Sequence, residues 1–467
     1  MKFPYIAASV ALLTSISGAG FVFPRMQSEP ATDSNTPCRV EATVFDGWQA
    51  QQITNRWLKL VFVPQIGGRL MQVTFAGHPF LFVNPKYQGQ SFPASEITHE
   101  WFNYGGDKIW PMPEGSQDDQ HWPGPISDQL DDGNYEFHDA SQGSECTVRM
   151  DGPPDTRTGL QYTREVTVGP DSPQISFRAT MNNASTHPIR WSVQSVTQYD
   201  TADAANPATY NHDFWAFTPA NPHSAYLDGY HVRSGLADDP SFSVNKDLFS
   251  LHWLYLQSEV WIDSPSNWIA VVDASTQFAM VERFEFDSAA EYPGKADVIF
   301  YKNGPAVEID RQGNATMRTS PVDTPFYMEA ELNSPMVQLA PGKSYTFKTE
   351  WFPTRAVPNF EIATDAGIVG SPDSPSDNPS EANHIKLTGV FGVFFPGQLV
   401  LQLYNRHNKV TATIPMQSVD PARIVNLSYE IQVPASPTSF SVHLIDEQGR
   451  DRGSLTQGGM GRGRFDY

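Results

Sequence analysis

The residues best able to do chemistry crowd into positions 99–125, where His99, Trp101, Asp107, Lys108, Trp110, His121 and Trp122 stand among Gly105, Gly106 and prolines 111, 113, 123 and 125. Indole rings beside charged groups suit a ligand with apolar ring faces and many hydroxyls, and a saccharide is the commonest such ligand. The glycines and prolines argue against a long helix or a central strand. Trp101, Trp110 and Trp122 are therefore expected on loops displayed by a rigid scaffold. The competing reading is that they pin a long loop to the sheet beneath, since aromatic burial alone would justify them. Glu329 and Glu331 form a second candidate: two residues apart in a β-rich run, they share one face of a strand. Such a pair either raises one carboxyl's pKa or divides its work between a base and a grip on a hydroxyl or cation. The alternative is an ordinary solvent-facing pair. Arg69 and Lys108 are suited to holding sugar hydroxyls or a uronate carboxylate, or else to a salt bridge that stiffens the loop.

The elements that must position these groups read as strands. Runs at 58–63, 71–75, 165–168, 174–178, 191–196, 268–272, 297–301 and 326–332 are rich in β-branched and aromatic residues, and helical periodicity is nearly absent. The 467 residues exceed what one core usually supports, so a large domain plus a smaller one is expected. The fold class is all-β: a large two-sheet sandwich over 38–360, then a Ser/Pro/Asp-rich linker over 361–383. A small Ig-like sandwich follows over 384–450, with a disordered tail over 451–467. Residues 1–20 read as a secretory signal peptide, with a basic start, a short apolar middle and a small-residue exit. No run supplies the ~20 apolar residues of a membrane span. The mature chain is expected to be secreted or periplasmic, without membrane insertion.

Cys38 and Cys146 are the two cysteines. In an oxidising compartment they are expected to pair, with two separate buried thiols as the alternative. A net charge of -21, from 52 acidic and 31 basic residues, argues against nucleic acid and anionic membranes as partners. Asp128, Asp131 and Asp132 lack EF-hand spacing and read as a solvated loop. Neither a metal nor a cofactor is expected.

Stretches at 63–70, 103–111, 291–294, 327–331 and 339–343, leading into 348–352, resemble the galactose-mutarotase-like (aldose 1-epimerase-like) β-sandwich superfamily, and within it an uncharacterised family of secreted bacterial proteins. The resemblance covers about residues 38–355 and implies a β-supersandwich that binds a saccharide in its concave face. It also implies that Glu329, in the Met328-Glu329 step, is a base that takes a proton from the anomeric hydroxyl. Epimerases place an acidic histidine on the strand that here reads 190–199, yet this strand carries Gln194 and Gln198, which bind hydroxyls but supply no proton at neutral pH. His99, His121 and His212 are the remaining candidate acids, with His212 also placed among the substrate-binding residues. The expected function is a carbohydrate-active protein that epimerises a sugar or eliminates at a uronate. The alternatives are a non-catalytic glycan-binding module and a cell-envelope interaction protein.

Overall fold

The computed structural model describes residues 38–94, 101–115, 121–309, 315–318, 325–371, 384–432, 437–459 and 465–466. The expected signal peptide, His99 and most of the expected linker lie outside the described residues.

The chain is all-β, and antiparallel sheets account for its architecture. One large sheet carries, from its centre out to one edge, the strands Asp107–Met112, Ile189–Asp200, Tyr327–Asn333, Val298–Lys302, Ser258–Ile262 and His231–Ser234, in that spatial order. A second sheet packs against it. Its strands Leu160–Val168 and Ile175–Asn183 bury every second residue, the period-2 signature of a sheet with one face on a core. Val193, Met328, Ala330, Leu332, Val298, Phe300 and Val260 fill the space between the sheets from the large-sheet side.

Residues 107–112 form a central strand despite Pro111, which corrects the expectation of a loop. On one side this strand pairs along its length with Ser192 to Thr197. On the other, its pairing with the Arg69–Phe75 strand stops at Leu70 opposite Asp107. Past Asp107 that edge has no ladder to lose, so a proline without an N–H is tolerated there. Gly105 and Gly106 make the approach possible. Both have positive φ, and a Cβ on Gly105 would stand 2.2 Å from the Phe82 carbonyl oxygen.

The C-terminal unit consists of a four-stranded and a five-stranded sheet. It shares a core with the outer face of the second sheet. Along Trp268–Asp273, Ile269 and Val271 point into the main core, while Trp268, Ala270 and Val272 pack with Phe391, Phe394, Leu399 and Leu401. That division explains why the strand is apolar from Trp268 to Val272. Strand Gly367–Gly370 and all but the first residue of strand Phe360–Ala363 lie in the stretch read as linker, and both pair into the four-stranded sheet. Asp451–Gly459, in the stretch read as tail, pairs with Ser439–Asp446.

Cys38 and Cys146 form a disulfide across a separation of 108 residues. It fastens the start of the large sheet's edge strand to the Cys146–Asp151 strand of the second sheet. Among the described residues, no helix is long and apolar enough to cross a membrane.

Candidate functional site

Register decides which side chains meet. Residues directly opposite in antiparallel strands share a face. Trp110 stands opposite Gln194, and Lys108 opposite Val196. Val196 and Gln198 stand opposite Glu331 and Glu329. Glu329 then faces Tyr301, Tyr301 faces Glu259, Ile299 faces Trp261, and Trp261 faces His231. All of these project from the large sheet on the side away from the second sheet.

Burial grades across this face. Lys108, Glu329 and Glu331 are 1%, 6% and 7% exposed, Tyr301, Glu259 and Trp261 are half-buried, and His231 and Arg233 are exposed. The site is thus closed over Lys108 and opens towards the His231–Ser234 edge. Lys108 Nζ lies 3.1 Å from Glu329 Oε1 and 4.3 Å from the Trp110 ring centroid. Gln198 Nε2 donates to Glu329 Oε1 at 2.6 Å, and Gln194 Nε2 donates to Glu331 Oε2 at 2.5 Å. Trp261 Nε1 donates to Glu259 Oε1. Glu114, just beyond the end of the Lys108 strand, is half-buried, and its Oε2 has no hydrogen-bond partner among the described residues.

Among the described residues, four carboxyls therefore share this face with two fixed cations, Lys108 and Arg233. Burial, followed by repulsion from Glu329, Glu259 and Glu114, holds the Glu331 carboxyl well above the usual range, with Lys108 opposing. Burial, followed by Glu259 and Glu329, pushes Glu114 up to about 8 against Arg233 and Lys108. Burial also raises Glu259, despite the Trp261 hydrogen bond and Arg233. Both general causes of a raised carboxyl pKa operate here, desolvation and like charge.

The structure brings Glu329, Glu331, Lys108, Trp110 and Gln194 together, and places other candidates elsewhere. Asp107 is completely buried between the sheets, ion-paired with Arg164 and accepting from Thr197 Oγ1 at 3.3 Å. As the strand neighbour of Lys108 it must face the opposite way. Arg69 is also fully buried, donating to Asp131 Oδ1 at 2.7 Å and to the Gly105 carbonyl at 3.3 Å. Asp131 also accepts from the indoles of Trp110, at 2.7 Å, and Trp101, at 3.1 Å. Trp122 has no exposed surface and donates to Asp128 Oδ2 at 2.7 Å, so it pins the loop and offers no face for a ligand. Asp128, Asp131 and Asp132 are all buried rather than solvated: Asp128 and Asp131 hold these indoles and Arg69, and Asp132 lies 3.9 Å from Arg69. Trp101 is half-buried with its ring 5.9 Å from Lys108 Nζ. His121 is half-buried next to Trp122 in sequence. His212 is exposed, with its ring against Tyr210 at 4.1 Å.

Glu114, Glu259, Trp261, Tyr301 and Arg233 were not singled out from the sequence. Glu259 and Trp261 had a visible signal, since they alternate with the apolar Val260 and Ile262. Glu114, in a proline-glycine turn, had none. Among the described residues, no three or more His, Cys, Asp or Glu side chains are arranged to hold a metal ion.

No protein-family profile and no curated protein sequence matches this chain. Solved structures similar to it include a TPR-domain containing protein from Parabacteroides distasonis, at 14% identity and TM-score 0.43, over 70% of this chain and 56% of that one. A galactose mutarotase-like protein from Clostridium acetobutylicum is similar at 9% identity and TM-score 0.44, over 68% of this chain and 99% of that one. A galactose mutarotase-like protein from Lactobacillus casei is similar at 11% identity and TM-score 0.40, over 65% of this chain and 99% of that one.

Proposed function

We propose that this protein is a secreted or periplasmic saccharide-binding protein in which Glu329 acts as the base of an epimerase-like proton transfer. The observation that carries the reading is the placement of Glu329. One oxygen is held by Lys108 at 3.1 Å and Gln198 at 2.6 Å, on a face where burial and mutual repulsion raise the pKa of the neighbouring carboxyls. Proton transfer at an anomeric centre needs a base and an acid together. Glu329 takes the proton of the anomeric hydroxyl, and Glu114, carrying a proton at neutral pH, gives one to the ring oxygen as the ring C–O bond opens. Reclosure on the other face reverses both transfers. Glu114 thus fills the role for which the 189–200 strand has no histidine. The disulfide supports an oxidising compartment.

Elimination at a uronate fits less well, because a substrate carboxylate would join four protein carboxyls. A non-catalytic glycan-binding module is the second reading, favoured by Gln194 and Gln198, which bind hydroxyls and move no protons. The test is polarimetric mutarotation and calorimetric binding on a panel of sugars, comparing wild type with Glu329→Gln. Turnover falling ~10²–10⁴-fold with binding retained is the expected result. Binding without turnover in both proteins would favour the binding module, and absence of all binding would overturn saccharide recognition itself.

A further inference from the structure

Among the described residues, Glu331 has no counter-ion of its own. Lys108 hydrogen-bonds Glu329, and Arg233 stands exposed on the far edge strand. The partner of Glu331 is the neutral Gln194 amide. A second observation is independent of charge. Gln194 and Gln198 are 1% and 0% exposed, and with their N–H groups given to the glutamates, neither Gln194 Oε1 nor Gln198 Oε1 has a hydrogen-bond partner among the described residues. Buried acceptors are normally satisfied. The site therefore holds acceptors in excess: unpaired amide oxygens beside a carboxyl with no cation.

We infer that the saccharide bound here carries a protonated amine, so that the ligand class is an amino sugar whose ammonium group sits at Glu331 and Gln194. The inference rests on the saccharide reading above. An ammonium has three donors and no acceptor, which matches a carboxylate beside an amide oxygen and is matched less well by a hydroxyl that must also be given a donor. Ile299 links Glu331 to Trp261 across the sheet, and the half-buried Trp261 ring, with the Arg233 guanidinium 5.8 Å from its centroid, closes the same row. A metal ion is a poorer fit, since the described residues hold no group arranged to ligate one.

Binding has a proton signature. The groups facing Glu331 are Glu329 on its own strand, Lys108, Tyr301, Glu259, the Glu114 turn, and His231 and Arg233 at the edge. Burial and the neighbouring glutamates raise the pKa of its carboxyl, whereas an arriving ammonium favours the ionised form. Amine binding should therefore release protons.

The experiment is calorimetry on the full chain with glucosamine, N-acetylglucosamine, glucose, glucuronic acid, their β-1,4-linked oligomers and calcium chloride, in buffers of different ionisation enthalpy. We expect free-amine sugars to bind at least ~10-fold tighter than acetylated or neutral counterparts, a preference worth about 1.4 kcal/mol, and to release protons. In Glu331→Gln that ratio should fall towards one. Neutral or acetylated sugars binding as tightly as amines would overturn the inference and leave saccharide binding standing. So would tight calcium binding without amine preference, or amine binding with no proton release in the wild type, a readout that needs no variant to fold. Failure of every sugar would overturn both.

Discussion

Replacing Lys108 with methionine tests whether the cluster is coupled as its geometry indicates. Methionine keeps the unbranched apolar stem and a favourable contact with the Trp110 ring, so the change removes charge with little change in volume. Lys108 and Glu329 have side chains 1% and 7% exposed and stand 3.1 Å apart, so solvent screens the pair little. Removing one partner of a buried pair costs ~3–5 kcal/mol, mainly because the other charge is left uncompensated. Here the orphan would also face Glu331, Glu259 and Glu114, which places the cost towards the upper end. Against a usual total of ~5–15 kcal/mol, the urea midpoint should drop markedly at pH 7.

The sign with pH follows from what relieves the orphan. In the folded variant the stranded carboxyl holds a proton more tightly than in the unfolded chain, where a glutamate ionises near ~4.3. The penalty is absent below that pH and grows as pH rises through and above it. Urea melts of Lys108→Met should therefore lose ~3–5 kcal/mol at pH 7 and markedly less at pH 5. The double variant Lys108→Met/Glu329→Gln should return to within about 1 kcal/mol of wild type. A single variant within about 1 kcal/mol of wild type at pH 7, or an equal loss at both pH values, would refute the coupling.

Two further substitutions read the polar groups inside the fold. Glu282 is fully buried between the sheets, accepts from Tyr199 Oη at 2.5 Å, and is pushed up to about 8, chiefly by burial. Its raised pKa gives stability that is complete below the unfolded value and is lost as pH rises towards 8. Glu282→Gln keeps the acceptor for Tyr199 and removes that dependence. It should melt with wild type near pH 4 and exceed it by ~4 kcal/mol at pH 8; equal midpoints at pH 8 would show that Glu282 is ionised without cost. Asp131→Ala strands the Arg69 guanidinium and two indole N–H groups. With Asp132 still 3.9 Å from Arg69, a loss of ~3 kcal/mol is expected in chemical denaturation, and a loss under about 1 kcal/mol would mean that the arginine finds another partner.

Lys108 and Asp107 show what the sequence could and could not convey. Runs such as 160–168 and 175–183 declare strands, because one face packs on a core and period-2 burial leaves a pattern in the residues. The 107–112 segment does not, since all six of its residues are buried and Pro111 sits among them. Read as a loop, it offers both Asp107 and Lys108 to a ligand. Read as a strand, it sends one into the sandwich to Arg164 and the other to Glu329. The three tryptophans were misleading for a related reason. Their indole N–H groups go to Asp128 and Asp131, and nothing in the spacing announces that those aspartates are buried.

The cluster as a whole was less legible than any of its members. Local pattern says which face of a strand is polar, but strand order and register decide which polar faces become neighbours. Glu329 and Glu331 were visible as a pair because they belong to one strand. Glu259 arrives from a strand some 70 residues earlier by way of Tyr301, and Glu114 from a turn more than 200 residues earlier. Their repulsion, the protons it retains and the shortage of cations around Glu331 therefore arise only on assembly. This is also why the chain's net charge of -21 could not identify the ligand. The same carboxylates scattered over a surface would be screened within a Debye length. Gathered beside buried amide oxygens that have no partner among the described residues, they leave hydrogen-bond acceptors in excess of donors.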